Sequence, residues 1–392
     1  MEKIVIIAAS RTAMGSFQGS FSTLSAPDLG AVVIQNVVEQ ANIPVDDIDE
    51  VIMGCVLPAG VKQGPARQAM RQAGLPDHVG ATTINKVCGS GMKAAMQASD
   101  AIKAGSAKII VIGGMESMTN APYLLPKARS GYRMGHGQVI DHMFMDGLED
   151  AGTGRAMGSF AQDMADKKGY SREQMDEFAI RSLTRAQKAI AEGYFKNEIT
   201  AVKVTTRKGE VTVDVDENPA NAKIDKISTL RAAFAKDGTI TAANSSSISD
   251  GASALLITSE SEANKRNLAV LAEIKGYTTN SQLPEEFTIA PVGAIEKLLK
   301  NVGWSAEDVD LWEINEAFAM VTMAAIDAFK LDPEKVNVNG GACALGHPLG
   351  SSGSRIIVTL IHALKRLGKS KGVAALCIGG GEATAIAIEV KA

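Results

Sequence analysis

Cys88-Gly-Ser-Gly-Met-Lys93 returns near the far end of the chain as Gly350-Ser-Ser-Gly-Ser-Arg355, 262 positions on (350 − 88). Two further matches stand around it in the same order. Asp49-Glu-Val-Ile-Met53 corresponds to Asp310-Leu-Trp-Glu-Ile314, 261 positions on (310 − 49), and Ile112-Gly-Gly-Met-Glu116 to Ile378-Gly-Gly-Gly-Glu382, 266 on (378 − 112). Three ordered matches read as two copies of one unit, near the start and the end of the chain. The growing offset is expected to arise in a surface loop between Gly105 and Lys108. Within the first copy, Lys3–Ala8, Ile48–Met53, Ala81–Val87 and Ile109–Ile112 are apolar or β-branched runs. Leu29–Gln40 and Gly91–Ala104 carry helical spacing, the second closed by Gly105. Such alternation predicts an α/β fold whose sheets are covered on their faces.

Between the copies, Thr119 to about Ser247 has a different character. It opens with Pro122, Pro126 and Gly131, Gly135 and Gly137, passes through a charged helical stretch (Ser171–Glu192), and enters an alternating strand-like run, Ile199–Val215. Excursions of this length on a rigid scaffold commonly carry binding functions.

Composition bounds the function. With 392 residues, 45% hydrophobic and 21% charged, the chain buries a large core and is not disordered. A net charge of −4 argues against a nucleic-acid partner. Ile4–Ala9 is only six residues, too short for a secretory core, and no apolar run reaches the length of a membrane span, so the expected location is the cytoplasm and no membrane partner is expected. Cys55, Cys88, Cys343 and Cys377 form neither a disulfide framework nor a metal-ligand spacing. Their thiols are free to do chemistry, and no metal is expected.

Cys88 follows a β-rich run and opens a helix, where unpaired N–H groups and the helix dipole are expected to lower a thiol pKa. The alternative is a small buried apolar residue. His347 is framed by Gly346, Pro348 and Gly350, well placed for a base, or simply a turn histidine. The repeat makes Cys88 and Gly350 equivalent, so the two loops are expected to meet across a pseudo-twofold axis. Cys377 ends the apolar run Val373–Leu376 before Gly379-Gly-Gly381, whose N–H groups suit an oxyanion; a core cysteine is the competing reading. Asn315 sits between a strand and a helix, as a site amide, an N-cap, or both. Asn244–Gly251 is a polar loop fit for a ligand amide or a turn, and Cys55 and Cys343 read as packing.

Taken together, Asn85-Lys-Val-Cys-Gly-Ser-Gly-Met-Lys93, Asn315-Glu-Ala-Phe318, Gly340-Gly-Ala-Cys-Ala-Leu-Gly-His-Pro-Leu-Gly350 and Cys377-Ile-Gly-Gly-Gly381 resemble the thiolase family, specifically its short-chain acetyl-CoA acetyltransferases. Arg11-Thr-Ala-Met-Gly-Ser-Phe17 and Gln63-Gly-Pro-Ala-Arg-Gln68 fit the same pattern, so the resemblance spans the chain. It implies a five-layer αβαβα sandwich of two halves, 1–118 completed by about 249–268, and 269–392, with a loop domain 119–248 covering the site. It implies that Cys88 takes the acyl group and that His347 activates it. A water held by Asn315 then helps His347 bind the thioester oxygen, and Cys377 moves the α-proton. It also implies that N–H groups of Cys88 and Gly379 form a second oxyanion hole. Ser246 would contact the pantetheine arm, and Leu148, Met157 and Phe318 would grip coenzyme A. The implied ligands are acetyl-CoA, acetoacetyl-CoA and CoA, with no separate cofactor, in a homodimer. The segment Asn120–Met145, rich in Gly, Pro and Met and apolar in places, is expected to contact a second pair of subunits, giving a tetramer.

Departures from the family pattern are Ala156, where short-chain relatives commonly carry His, with Arg155 as a replacement contact; Cys343, for an aliphatic residue; and Ser247 and Ser249 in the coenzyme loop. The competing readings are a broader 3-ketoacyl-CoA thiolase, a silent acyl-binding protein, disfavoured by Cys88 and His347, and a decarboxylating ketosynthase, disfavoured by Cys377.

Overall fold

The computed structural model describes residues 2–391. The first half runs β1 (Ile4–Arg11), β2 (Gly15–Ser16), α1 (Ala26–Ala41), β3 (Glu50–Gly54), α2 (Pro65–Gln72), β4 (Gly80–Ile84), α3 (Ser90–Ala104) and β5 (Ile109–Ser117). An excursion follows, holding β6 (Tyr123–Leu124), β7 (Ile140–Asp141), α4 (Met157–Lys168), α5 (Arg172–Ala191), β8 (Val202–Thr206), β9 (Gly209–Val213) and α6 (Glu217–Asn221). The chain then returns through β10 (Ser249–Ser259) and α7 (Glu260–Lys265). The second half comprises β11 (Ala272–Ser281), α8 (Ala290–Val302), β12 (Leu311–Ile314), α9 (Ala319–Phe329), α10 (Ala342–Leu345), α11 (Leu349–Leu367), β13 (Lys371–Ile378) and β14 (Glu382–Glu389).

From the centre outward one side of the sheet runs β1, β10, β5, β3, β4, and the other runs β11, β14, β13, β12. Setting aside the two-residue β2, which pairs with β10, each side places its first strand innermost, then its last, its last but one and its second. The pairings match as well: antiparallel through the first three strands of each side, then parallel. A lone parallel bridge between Trp312 and Val336 stands where β4 has its counterpart. The sides join along β1 and β11 through the antiparallel pairs Ile4–Ile274, Val5–Glu273 and Ile6–Ala272.

Strand alternation sorts the core into layers. Val5, Ile7, Val51 and Val111 face α1 and α2; Ile4, Ile6, Ile52 and Ile112 face α3 and α11. In the second half, Ala374 and Leu376 face those same central helices, while Val373 and Ala375 face α8. The result is helix, sheet, helix, sheet, helix. The outer α1 is amphipathic and begins with a capping box, Ser25 and Asp28. The central α11 is buried from Leu349 to Ile361 without interruption, and that stretch includes the polar Ser351, Ser352, Ser354 and Thr359 and the charged Arg355. It approaches β5 so closely that a Cβ on Gly114 would lie 1.9 Å from the Gly350 carbonyl oxygen.

Two readings from sequence are corrected. In the third repeat match, Ile112 pairs with Ile52 of β3, whereas the residue of β13 opposite Glu313 of β12 is Ala374, 262 positions on (374 − 112), not Ile378. The offset is steady, and no loop insertion is involved. Gly113-Gly114 lie inside a strand against α11, but Gly379–Gly381 form the turn between β13 and β14, so the likeness of the two Gly-Gly runs is accidental. The alternating run Ile199–Val215 is a hairpin, β8–β9, because Gly209 turns the chain at φ +118°.

The excursion is anchored by buried charge. Arg11 Nε donates to Glu198 Oε1 at 2.6 Å, and Nη1 and Nη2 grip Asp216 at 2.7 and 2.9 Å. All three side chains are fully buried. Glu217 next to them accepts from the Ser16 and Ser20 amides.

Candidate active site

The turn carrying Cys88 is held by its neighbours. Asn85 Oδ1 accepts from the Val87 amide at 2.9 Å; Ser90 Oγ accepts from the Lys86 amide at 2.8 Å and donates to the Val87 carbonyl at 2.7 Å. These bonds hold Val87 at φ +46°, a left-handed conformation costly for a β-branched residue. The N–H groups of Gly379 and of Cys88 itself face the Cys88 sulfur and favour its thiolate. Burial nevertheless outweighs them and pushes the thiol up to about 11, with Glu116 adding in the same direction. The expected lowering at a helix start is thus overturned: α3 begins at Ser90, and desolvation dominates.

His347 leaves Gly346, which at φ +107° passes so close to Ser249 that a Cβ would lie 2.0 Å from its Oγ. The His347 amide donates to the Ser247 carbonyl at 3.0 Å, and Ser249 Oγ donates to that same carbonyl at 3.1 Å. Nδ1 bonds Ser352 Oγ at 2.5 Å, while Nε2 is buried with no partner among the described residues. Burial, helped by the positive charge of Arg355, pushes the imidazole down to about 3. His347 is therefore neutral at neutral pH, with its outer nitrogen free.

Cys377 is the penultimate residue of β13, and burial together with Cys88 holds its thiol well above the usual range. Cys88, His347, Cys377 and Gly379 all line one cavity of about 380 Å³, and so do Leu148, Met157, Ser246 and Phe318. Asn315 is not among the lining residues. It is buried, and its Oδ1 accepts from Arg355 Nη2 at 3.4 Å. It is not an N-cap either, since α9 starts from Phe318. Arg155 does not stand in for the missing histidine: it pairs with Asp163 at 2.7 Å and lies over the Phe160 ring, and Ala156 alone meets the cavity.

Phe287 lines the cavity with Met157 and packs edge-on to Phe318, with centroids 6.4 Å apart. Sequence reading missed Phe234, edge-on to Phe318 at 6.2 Å, and Leu349, which also lines the cavity. Phe234 sits in an aperiodic loop that offers no sequence signal. Glu116, a buried carboxylate pushed up to about 7 mainly by desolvation, was missed too; it accepts from the Val56, Leu57 and Gly350 amides at 3.0, 3.1 and 2.8 Å. Cys55 packs beside it, and Cys343 donates to the Glu316 carbonyl at 3.5 Å. Among the described residues no His, Cys, Asp or Glu cluster is arranged for a metal ion, and no helix is long and apolar enough to cross a membrane.

Two thiols, an uncharged imidazole and a backbone N–H facing the first sulfur make a site for acyl transfer through a thioester. The family model described as "Thiolase, N-terminal domain" matches residues 4–261, and "Thiolase, C-terminal domain" matches 268–390. The chain belongs to the thiolase family. This thiolase is 48% identical over 390 residues to an acetyl-CoA acetyltransferase of Pseudomonas aeruginosa, with 99% of each chain covered. It is 50% identical over 391 residues to one of Escherichia coli, again with 99% of each covered. Among solved structures, the acetyl-CoA acetyltransferase of Bacillus anthracis superposes with a TM-score of 0.97 at 41% identity, covering 100% of this thiolase and 99% of that chain. A thiolase of Ascaris suum in complex with coenzyme A gives 0.94 at 42% identity, with both chains fully covered at 100%.

Proposed function

We propose that this thiolase is an acetyl-CoA C-acetyltransferase that condenses two acetyl-CoA molecules to acetoacetyl-CoA and CoA, reversibly, through an acyl-Cys88 intermediate. The observation that carries the reading is the meeting of Cys88, Cys377, His347 Nε2 and Gly379 on one cavity. A thiol near 11 costs roughly 5 kcal/mol to ionise at pH 7. Cys88 therefore attacks as its proton passes to the free Nε2 of His347; the Cys88–acyl bond forms, the CoA–acyl bond breaks, and the proton leaves with the CoA thiolate. In the second half, Cys377 passes its proton to the neutral His347 Nε2, and the thiolate so formed takes an α-proton from another acetyl-CoA, whose carbanion attacks the acyl-Cys88 carbonyl. The departing Cys88 thiolate is then reprotonated by the His347 imidazolium. Backbone N–H groups of Cys88 and Gly379 bind one developing oxyanion, and His347 with a water on Asn315 binds the other. Ser246, Leu148, Met157 and Phe318 grip the coenzyme. No further cofactor is required.

Phe287, Phe318 and Met157 fill the cavity, which favours acetyl and acetoacetyl groups over longer chains. Ala156 removes bulk beside them, and broader 3-ketoacyl-CoA thiolysis is the second reading. Each added methylene changes binding by only about 0.8 kcal/mol. Exposed Tyr123, Leu125, Met134 and Val139 support a homo-oligomer, a dimer or tetramer, acting in the cytoplasm. Incubation with acetyl-CoA followed by mass spectrometry tests the chemistry. Wild type and Cys377→Ala gain an acetyl adduct, Cys88→Ser does not, and Cys377→Ala fails to condense. Acylation lost in Cys377→Ala overturns the division of roles. Thiolysis measured over chains of about four to ten carbons tests the substrate, and a kcat/KM maximum at six or more overturns the short-chain reading.

A further inference from the structure

We propose that Arg355 is a positioning residue for Asn315: its guanidinium, buried in the central helix α11, fixes which end of the Asn315 amide is left free for the site. The inference deepens the reading above, in which Asn315 holds a water, and rests on it.

The backbone around Asn315 has no freedom. Its amide donates to the Ala375 carbonyl at 2.9 Å. On the preceding residue, Ile314, the N–H donates to Asn337 Oδ1 and the carbonyl accepts from Asn337 Nδ2, each at 2.8 Å. Only the side-chain amide can turn. Arg355 Nη2 lies 3.4 Å from Asn315 Oδ1, and a guanidinium has five donors and no acceptor. Turning the amide over would set an N–H2 against those donors and beside a positive charge. Oδ1 must therefore face Arg355, leaving Nδ2 as the group without a partner.

Nδ2 is then a buried donor with no protein partner among the described residues, as are Arg355 Nε and Nη1, and Glu313 Oε1 is an unpartnered acceptor beside them. Arg355 and Asn315 are at most 1% exposed. A cluster of buried donors and acceptors without protein partners is where proteins keep ordered water. Arg355 is itself steadied by Glu313, whose Oε2 is 3.7 Å from Nη1. Glu198, Glu316 and Arg11 complete the charges that act on it. Among the described residues, Arg355 is the one group that hydrogen-bonds the Asn315 side chain.

A double-mutant cycle in the thiolysis direction tests this, with kcat and KM measured separately. Arg355→Met is expected to lower kcat at least tenfold with KM changed less than threefold. Arg355→Lys, which keeps a charged donor, is expected to fall between Arg355→Met and wild type. In an Asn315→Ala background, Arg355→Met is expected to cost less than threefold more. If Arg355→Met leaves Glu313 uncompensated and the chain does not fold, Arg355→Met with Glu313→Gln replaces it in the same cycle. Full additivity with Asn315→Ala overturns the inference, because Arg355 would then act without Asn315. Wild-type kcat in Arg355→Met overturns it as well. Wild-type activity in Asn315→Ala instead overturns the role given to Asn315 under the proposed function, and this inference with it.

Discussion

Asp216→Ala should loosen the excursion from the sandwich more than any surface change. It removes both carboxylate oxygens that hold Arg11 at 2.7 and 2.9 Å, and the Met14 amide loses its acceptor at 2.7 Å. Arg11 is left fully buried with Glu198 as its one carboxylate partner. Stranding a buried charge in this way costs about 3–5 kcal/mol, far above the yield of an exposed pair. For a chain of this length, with an unfolding entropy of about 2.1 cal/mol/K per residue, that corresponds to a fall in Tm of roughly 4 to 6 °C. The assay is differential scanning fluorimetry at one fixed protein concentration, paired with amide hydrogen exchange. Faster exchange should concentrate in 195–221, the stretch tied to Arg11, Ser16 and Ser20. The control is the joint replacement Arg11→Met, Glu198→Gln, Asp216→Asn, which removes charge on both sides and should lose less than Asp216→Ala does. A Tm within about 1 °C of wild type for Asp216→Ala would refute the claim that this cluster anchors the excursion.

Gly346→Ala should abolish turnover while leaving the fold in place, because its Cβ would meet Ser249 Oγ at 2.0 Å and displace His347; circular dichroism beside a thiolysis assay checks both halves of that statement. Alkylation of Cys88 by iodoacetamide, followed peptide by peptide, should keep rising about tenfold per pH unit toward pH 11, since the raised pKa keeps the thiol protonated through neutrality. A plateau near pH 8.5 would mean that the helix start outweighs burial after all. Phe318→Ala removes the ring that Phe234 and Phe287 both pack against, and should move the kcat/KM maximum toward longer acyl chains.

The features that were legible in sequence are those written locally. The Cys88 and Gly350 motifs announced two copies, and the strand order bears that out, because each copy must solve the same packing problem. Gly105 closes its helix at φ +77°, as its position suggested. Cys88, His347, Cys377 and Gly379 sit in short motifs, and the structure brings them to one cavity. What escaped depends on contacts between distant segments. The sign of the Cys88 shift follows from burial, which segments far away in sequence impose. The register of the third match required the partner strands. Arg155 reads as a free cation until the Phe160 ring and Asp163 are seen to hold it, a contact local to the start of α4 that depends on how the side chains turn rather than on spacing. Asn315 looked like a lining residue, and only Arg355, forty positions away, explains where its amide turns.

The shared central layer has a consequence for the order in which the chain can be made. Ile110, Ile112, Leu255 and Ile257 form an apolar face whose cover includes α11. β10 ends at Ser259 and α11 begins at Leu349, so the 89 residues between them (348 − 259) must leave the ribosome first. At about 5–20 residues per second, that face waits roughly 5 to 20 s half-dressed, with only α3 against it. The amino-terminal half thus emerges as an adhesive, unfinished surface until α11 arrives to cover it.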